Sequence, residues 1–166
     1  MRKPVLAVLC LWLLALPIGD VDAAGTPGTV VISEIYGGGG NSEAIYANDY
    51  VELFNRTRST IDVTNWTVGY SSATGSTWRS LTLRGTIPAY HYMLIRFGSA
   101  GGGGAALPVT PDMTASTNIA RTAGKIRLTN PSGVVDLVGY GPNANAYEGR
   151  RAPAPPNNTQ SITRQP

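Results

Sequence analysis

One cysteine, one histidine and no run of lysines or arginines leave little reactive chemistry in this chain of 166 residues. The cysteine, Cys10, sits inside the apolar stretch that opens the chain. Without that stretch the chain has no thiol, no disulfide and no thiolate metal site, so its stability must come from a hydrophobic core. A serine hydrolase needs a general base, ordinarily a histidine. The only one, His91, stands between Tyr90 and Tyr92 at the head of a strand pattern, where packing beside the tyrosines accounts for it. HExxH, clustered histidines and cysteine pairs are all missing, which excludes the usual zinc cages. Helical periodicity is missing too. No window keeps a sustained 3.6-residue apolar repeat, and glycine or proline interrupts the chain about every ten residues. Short strands at that spacing indicate a sandwich or barrel.

The front of the chain has the three-part layout of an export signal. Arg2 and Lys3 precede an apolar run over residues 5–18, followed by small residues at Val21 and Ala23. This predicts a signal peptide over residues 1–23, cleaved after Ala23, and a secreted, extracellular protein. About fourteen apolar residues fall short of the roughly 20 that span a bilayer, and Pro17 ends the run early. No membrane span is therefore expected after cleavage. Cys10 is too far inside the run to be a lipid-attachment site. The net charge of +3 survives cleavage, because Arg2 and Lys3 leave together with Asp20 and Asp22. The remaining cations are mostly arginines scattered from Arg56 to Arg164, the pattern of a solvated surface more than of a binding stripe.

Beyond a short leader at residues 24–28, two stretches anchor the fold: VVISEIY at 30–36 and DYVELFN at 49–55, rich in β-branched and aromatic residues and ended by turn-formers. Alternating patterns follow around Ile61 and Val63, around Trp66, Val68 and Tyr70, and over residues 78–83. Residues 90–97 are apolar on both parities, which predicts a strand inside a sheet or one covered on both faces. The NPSG turn at 130–133 predicts a hairpin between strands at 125–129 and 134–140. The glycine-rich stretch 98–112 reads as a long loop, functional or disordered, and residues 113–120 offer one helical turn. The sum is an all-β sandwich or barrel over residues 29–141. A Pro/Asn-rich extension at 142–166 is expected to be extended or poorly ordered, held at Tyr147.

Candidates for chemistry are few. Glu34 and Glu52 each interrupt an apolar run, and a carboxylate there needs hydrogen-bond partners or a wet sheet face. They would serve a glycosidase or phosphoesterase, with Asp49, only if both faced one cleft; a structural hydrogen-bond network explains them more economically. Asn48 and Asp49 beside the glycine loop are weak candidates for calcium, unsupported by any D-x-D spacing. The tract at 37–40 follows a strand but lacks the third glycine, the lysine and the helix of a phosphate loop, so its glycines serve a sharp turn or close backbone approach. The tract at 101–104 reads as a loop spacer by the same logic. Trp78 with Arg79, and Tyr92 with Arg96, are fragments of the aromatic–cation pattern of nucleic-acid binders. The expectation is no catalytic residue and no cofactor. Loop residues Gly38, Asn41, Arg79, Arg96, Tyr147 and Arg150 are the candidates for contacting a partner, since loops carried on a rigid scaffold commonly bind. The partner could be a cell-surface protein, a polysaccharide or a nucleic acid, met by a monomer.

The front motif VVISEIYGGGGNSEAIYANDYVELFNR and the later VVDLVGYGPNANAYEG, with NWTVGYSSATGSTW and LRGTIPAYHYMLI between them, resemble the lamin tail domain family, in its secreted bacterial branch. The resemblance covers about residues 29–164. It implies an immunoglobulin-like sandwich and a non-catalytic accessory or adhesion module, of the kind found beside extracellular nuclease or phosphoesterase domains. No catalytic residues carry over from the family. Two departures stand out. Related secreted members often have a cysteine where this chain has Ala146, paired into a longer preceding loop that here is the short NPSG turn. Relatives also continue beyond the segment matching 161–164, so the expectation is either a stand-alone module or a truncated one.

Overall fold

In the computed structural model, residues 28–164 are described. The expected signal peptide, its cleavage site and Cys10 lie outside these residues. The described chain forms strands β1 (Val30–Tyr36), β2 (Asp49–Asn55), β3 (Ile61–Asp62), β4 (Thr67–Ser72), β5 (Arg79–Thr82), β6 (Thr86–Ile87), β7 (Tyr92–Phe97), β8 (Met113–Ala115), β9 (Gly124–Asn130), β10 (Gly133–Tyr140) and β11 (Ile162–Thr163). One sheet has the order β11-β1-β2-β7-β8, the other β10-β9-β4-β5, and β3 pairs with β6 in a small ribbon. All pairings are antiparallel except β7 with β8. The result is an all-β, immunoglobulin-like sandwich.

The alternation that makes these segments strands also builds the core. Along β2, Val51 and Leu53 are wholly buried while Tyr50, Glu52 and Phe54 face the other way. Ile32, Ile35, Leu53 and Ile95 from one sheet meet Val68, Ile126, Leu128 and Val138 from the other. Each such aliphatic side chain contributes about 1.5–3 kcal/mol by leaving water. Asn55 closes β2 from inside the core: its Nδ2 donates to the carbonyls of Ser59, Ile87 and Pro88 at 2.8–2.9 Å, tying the β2 end to the β3–β6 ribbon.

β7 lies inside its sheet, as its apolar pattern predicts, with Met93, Ile95 and Phe97 buried and Tyr92 on the outer face half exposed. Other expectations give way. The residues expected to offer a helical turn instead begin with β8, which adds to β7 in parallel, because the ladder of β7 is free on that side. The final segment is not a loose tail held at Tyr147, whose side chain is exposed. Ile162 and Thr163 pair with Ile35 and Glu34, so the segment supplies an edge strand to the first sheet. The loop at 98–112 is bonded at both ends, with backbone bridges Gly40 to Gly103 and Tyr46 to Ala105 near its start and Asp112 N–H donating to Leu94 O at its finish.

Candidate functional site

The outer face of β1, β2 and β7 carries the polar residues that the alternation keeps out of the core. Glu34 is the cross-strand partner of Glu52, which in turn faces Leu94; one step along, Tyr36 faces Tyr50, which faces Arg96. The structure thus brings the two acids onto one face. A bulge between Ile32 and Glu34 turns Ser33 so that its hydroxyl donates to Glu52 Oε1 at 2.7 Å. The Tyr50 hydroxyl donates to Glu34 Oε1 at 2.6 Å. Burial raises the Glu52 carboxyl above the usual range; the Ser33 bond opposes the rise and the charge of Glu34 adds to it. Burial, then Glu34, push the Tyr50 phenol up as well, so Tyr50 remains a donor. Tyr36, Tyr46 and Tyr50 pack as a cluster, with Tyr36 and Tyr50 stacked at 5.3 Å and Tyr46 edge-on to both.

A strap crosses this face. Its start is fixed by Ala47 N–H donating to Ala105 O at 2.7 Å and Gly101 N–H to Ala47 O at 2.8 Å. Its end is fixed by Asp112, whose N–H donates to Leu94 O and whose Oδ2 accepts from Leu94 N–H. The intervening residues 106–111 roof the sheet and leave a cleft on each side. The smaller, about 130 Å³, is lined by Glu34, Tyr46, Tyr50, Glu52 and Leu94 under Leu107, Pro108 and Val109. The larger, about 320 Å³, is lined by Asn48 and Arg96 under the strap. There Asn48 Nδ2 and Arg96 Nε are buried with no hydrogen-bond partner among the described residues.

Asp49, the other residue considered for calcium, has both oxygens engaged: Oδ1 accepts from Gly39 N–H at 2.9 Å and Oδ2 from Ile119 N–H at 2.8 Å. It staples the two loops beside the strap. Among the described residues no group of three or more His, Cys, Asp or Glu is placed to hold a metal ion. Burial pushes the Asp49 carboxyl up to about 6, and the two N–H donors oppose the rise. The folded chain therefore keeps a proton on Asp49 that the unfolded chain releases near 3.8. Stability gained from this group is full below that value and is lost as the pH rises through about 6. A ¹³C-detected titration of Asp49 should show its midpoint near 6, and Asp49→Asn should flatten the stability profile between pH 4 and 6. A midpoint near 4 would contradict this.

The other candidates disperse. Gly38 is packed against the Asn158 backbone, where a Cβ would collide. Asn41 Nδ2 reaches Asn158 Oδ1 at 3.4 Å. Arg79 is exposed on β5, and Trp78 stacks instead with Arg127 at 4.1 Å, with Lys125 at 5.5 Å. Tyr92 packs against Phe54, their ring centroids 4.6 Å apart. Arg150 lines an open groove with Pro142 and Pro153, far along the chain from the strap. His91 is exposed, its Nδ1 2.8 Å from Ala89 O. Sequence reasoning passed over Asp136, which is 1% exposed and joins both sheets. Its signal was an acid on the core-facing parity of VVDLVGY, shared with Val138 and Tyr140.

A family model described as Lamin Tail Domain matches residues 23–142. Among curated proteins, none matches the chain.

Proposed function

The chain belongs to the lamin tail domain family, and on that premise we propose that it is an exported, non-catalytic binding module, acting on another macromolecule by contact. One observation carries this reading. The acids best placed for catalysis are engaged inside the fold, Glu34 by Tyr50, Glu52 by Ser33 and Asp49 by two backbone N–H groups, whereas the unsatisfied polar atoms under the strap are donors. Paired carboxylates acting on a glycosidic bond need one free to protonate a leaving group and the other free to meet water or the sugar. Donors without partners suit recognition, since a ligand acceptor satisfies them at no cost to internal bonding. The signal-peptide pattern of residues 1–23 supports an extracellular setting, and the family's sandwich supports a scaffold that presents loops.

The test is an array of glycans, DNA and purified cell-surface proteins probed with the chain. Saturable binding is expected, weakened about tenfold by Val109→Asp in the strap, the size of a charge misplaced at an interface. Retention on DNA that falls steeply with salt would identify the partner as nucleic acid. Turnover of glycosides or phosphoesters that disappears in Glu52→Gln would overturn the proposal.

A further inference from the structure

We infer that the larger cleft beneath the strap is a receptor for a carboxylate on a small, partly apolar ligand group; this rests on the contact function proposed above and names the chemistry it recognises. Asn48 is 6% exposed, and its Nδ2 finds no acceptor. It precedes β2, two residues before Tyr50, and Tyr50 is the cross-strand partner of Arg96. Asn48 and Arg96 are therefore diagonal neighbours on one sheet face, both lining the cleft.

Arg96 is a cation that ignores the acids nearest to it. Glu52 faces Leu94, two residues before Arg96 on the same side of β7, and Glu34 faces Glu52. Yet among the described residues the ion pair formed is that of Arg164 with Asp136, and Arg96 Nε is buried without a partner. Glu34 and Glu52 are engaged by Tyr50 and Ser33, which keeps them from neutralising Arg96. A buried guanidinium edge demands an anion or a strong acceptor.

The geometry selects among anions. The planar fork of an arginine donates side by side to the two oxygens of a carboxylate, and the neighbouring Asn48 amide offers a third donor. A phosphate dianion would bring extra negative charge onto a face that already holds Glu34 and Glu52, so a monoanion is favoured. The roof of Leu107, Pro108, Val109 and Pro111 is apolar, apart from Thr110. A volume of about 320 Å³ is at the small end of ligand sites, enough for one acylated amino acid or one sugar acid. A neutral water would satisfy hydrogen bonds but leave the charge without a counterion.

The test uses the chain from residue 24 onward, with N-acetylalanine, N-acetylalaninamide, glucuronate and inorganic phosphate as probes, followed by calorimetry and by NMR of the Arg96 Nε–H and Asn48 side-chain amide. N-acetylalanine or glucuronate should shift both resonances saturably, and the amide should bind about tenfold more weakly or worse, because it lacks the charge that pairs with the fork. Arg96→Lys keeps the charge and the fold, confirmed by an unchanged melting temperature, yet should also lose about tenfold because an ammonium cannot make the paired bonds. Equal binding of acid and amide, phosphate binding as tightly as the carboxylates, or no shift at either resonance would overturn the inference. If the cleft stays silent while an array ligand is still retained, this inference fails and the contact function stands; if neither binds, both fail.

Discussion

Asp136→Ala should destabilise this protein by about 3 kcal/mol, the upper end of what an orphaned buried donor costs, because the Ile32 N–H loses its acceptor. The carboxylate is 1% exposed and takes four hydrogen bonds. Oδ2 accepts from Ile32 N–H at 2.6 Å, across the sandwich, and Oδ1 from Leu137 N–H at 2.8 Å. Arg164 Nη1 reaches both oxygens at 2.7 and 2.8 Å. One side chain therefore joins β10 to β1 and to the end of β11. Alanine leaves the Ile32 N–H buried without an acceptor and releases Arg164, so the edge strand loses its anchor. Thermal unfolding should move down by roughly 10 °C. Arg164→Ala should cost less, about 1–2 kcal/mol, because its side chain is 39% exposed and Asp136 keeps both backbone donors. Urea melts would check the order of the two variants. Equal midpoints for Asp136→Ala and the unaltered chain would refute this role.

Gly39→Ala is the second large effect, expected at about 3 kcal/mol, the upper end of what forced overpacking costs. A Cβ there would run into the carbonyl carbon of Asn48 and the nitrogen of Asp49, which are backbone and cannot swing aside. The same substitution would pull Gly39 N–H away from Asp49. Gly40→Ala should be comparable, since Gly40 has φ +72° and its Cβ would meet Gly101 Cα. The control is Gly102→Ala, where nothing lies within 4 Å and a change within about 0.5 kcal/mol is expected. Because the two glycine tracts approach each other at the root of the strap, the first two variants should also weaken ligand binding, and the control should not. Denaturant midpoints measured beside binding isotherms would show whether the two losses travel together.

That pairing of glycine tracts explains what the sequence could and could not disclose. The acids Glu34 and Glu52 stood out because each broke an apolar run, and the period of two placed them outside the core. Their being cross-strand partners depends on register, which the alternation leaves open by steps of two. The tract at 37–40 was legible as a site of close approach; that its neighbour would be the tract at 101–104 was not, because backbone contact between distant loops has no side-chain signature. β8 and β11 escaped for a related reason: strands of three and two residues are too short to show a period, and both form by joining the edge of a ladder that longer strands have built. Asp136 keeps the core-facing parity of Val138 and Tyr140, but Val134 on that parity is exposed across the bulge between Val134 and Asp136, so the signal was short and ended at the acid itself. Arg96 was legible as a candidate for contacting a partner, paired with Tyr92 in an aromatic–cation fragment. Its lack of a partner follows only from seeing both nearby acids already bonded.

The same bonding gives the pH response its direction. Glu52 and Glu148, like Asp49, are raised by burial. All three hold protons in the folded chain that the unfolded chain has given up, so each favours the fold on the acid side of its folded midpoint and withdraws that support as the pH climbs through it.

The most direct test is mass spectrometry of a ligand recovered from the saturated complex. A module that works by contact returns its ligand at a fixed stoichiometry with no bond changed, after any length of incubation and equally with Glu52→Gln. A ligand recovered cleaved by the unaltered chain and intact from Glu52→Gln would mean that the acid pair under the strap makes or breaks bonds, and the account would be wrong.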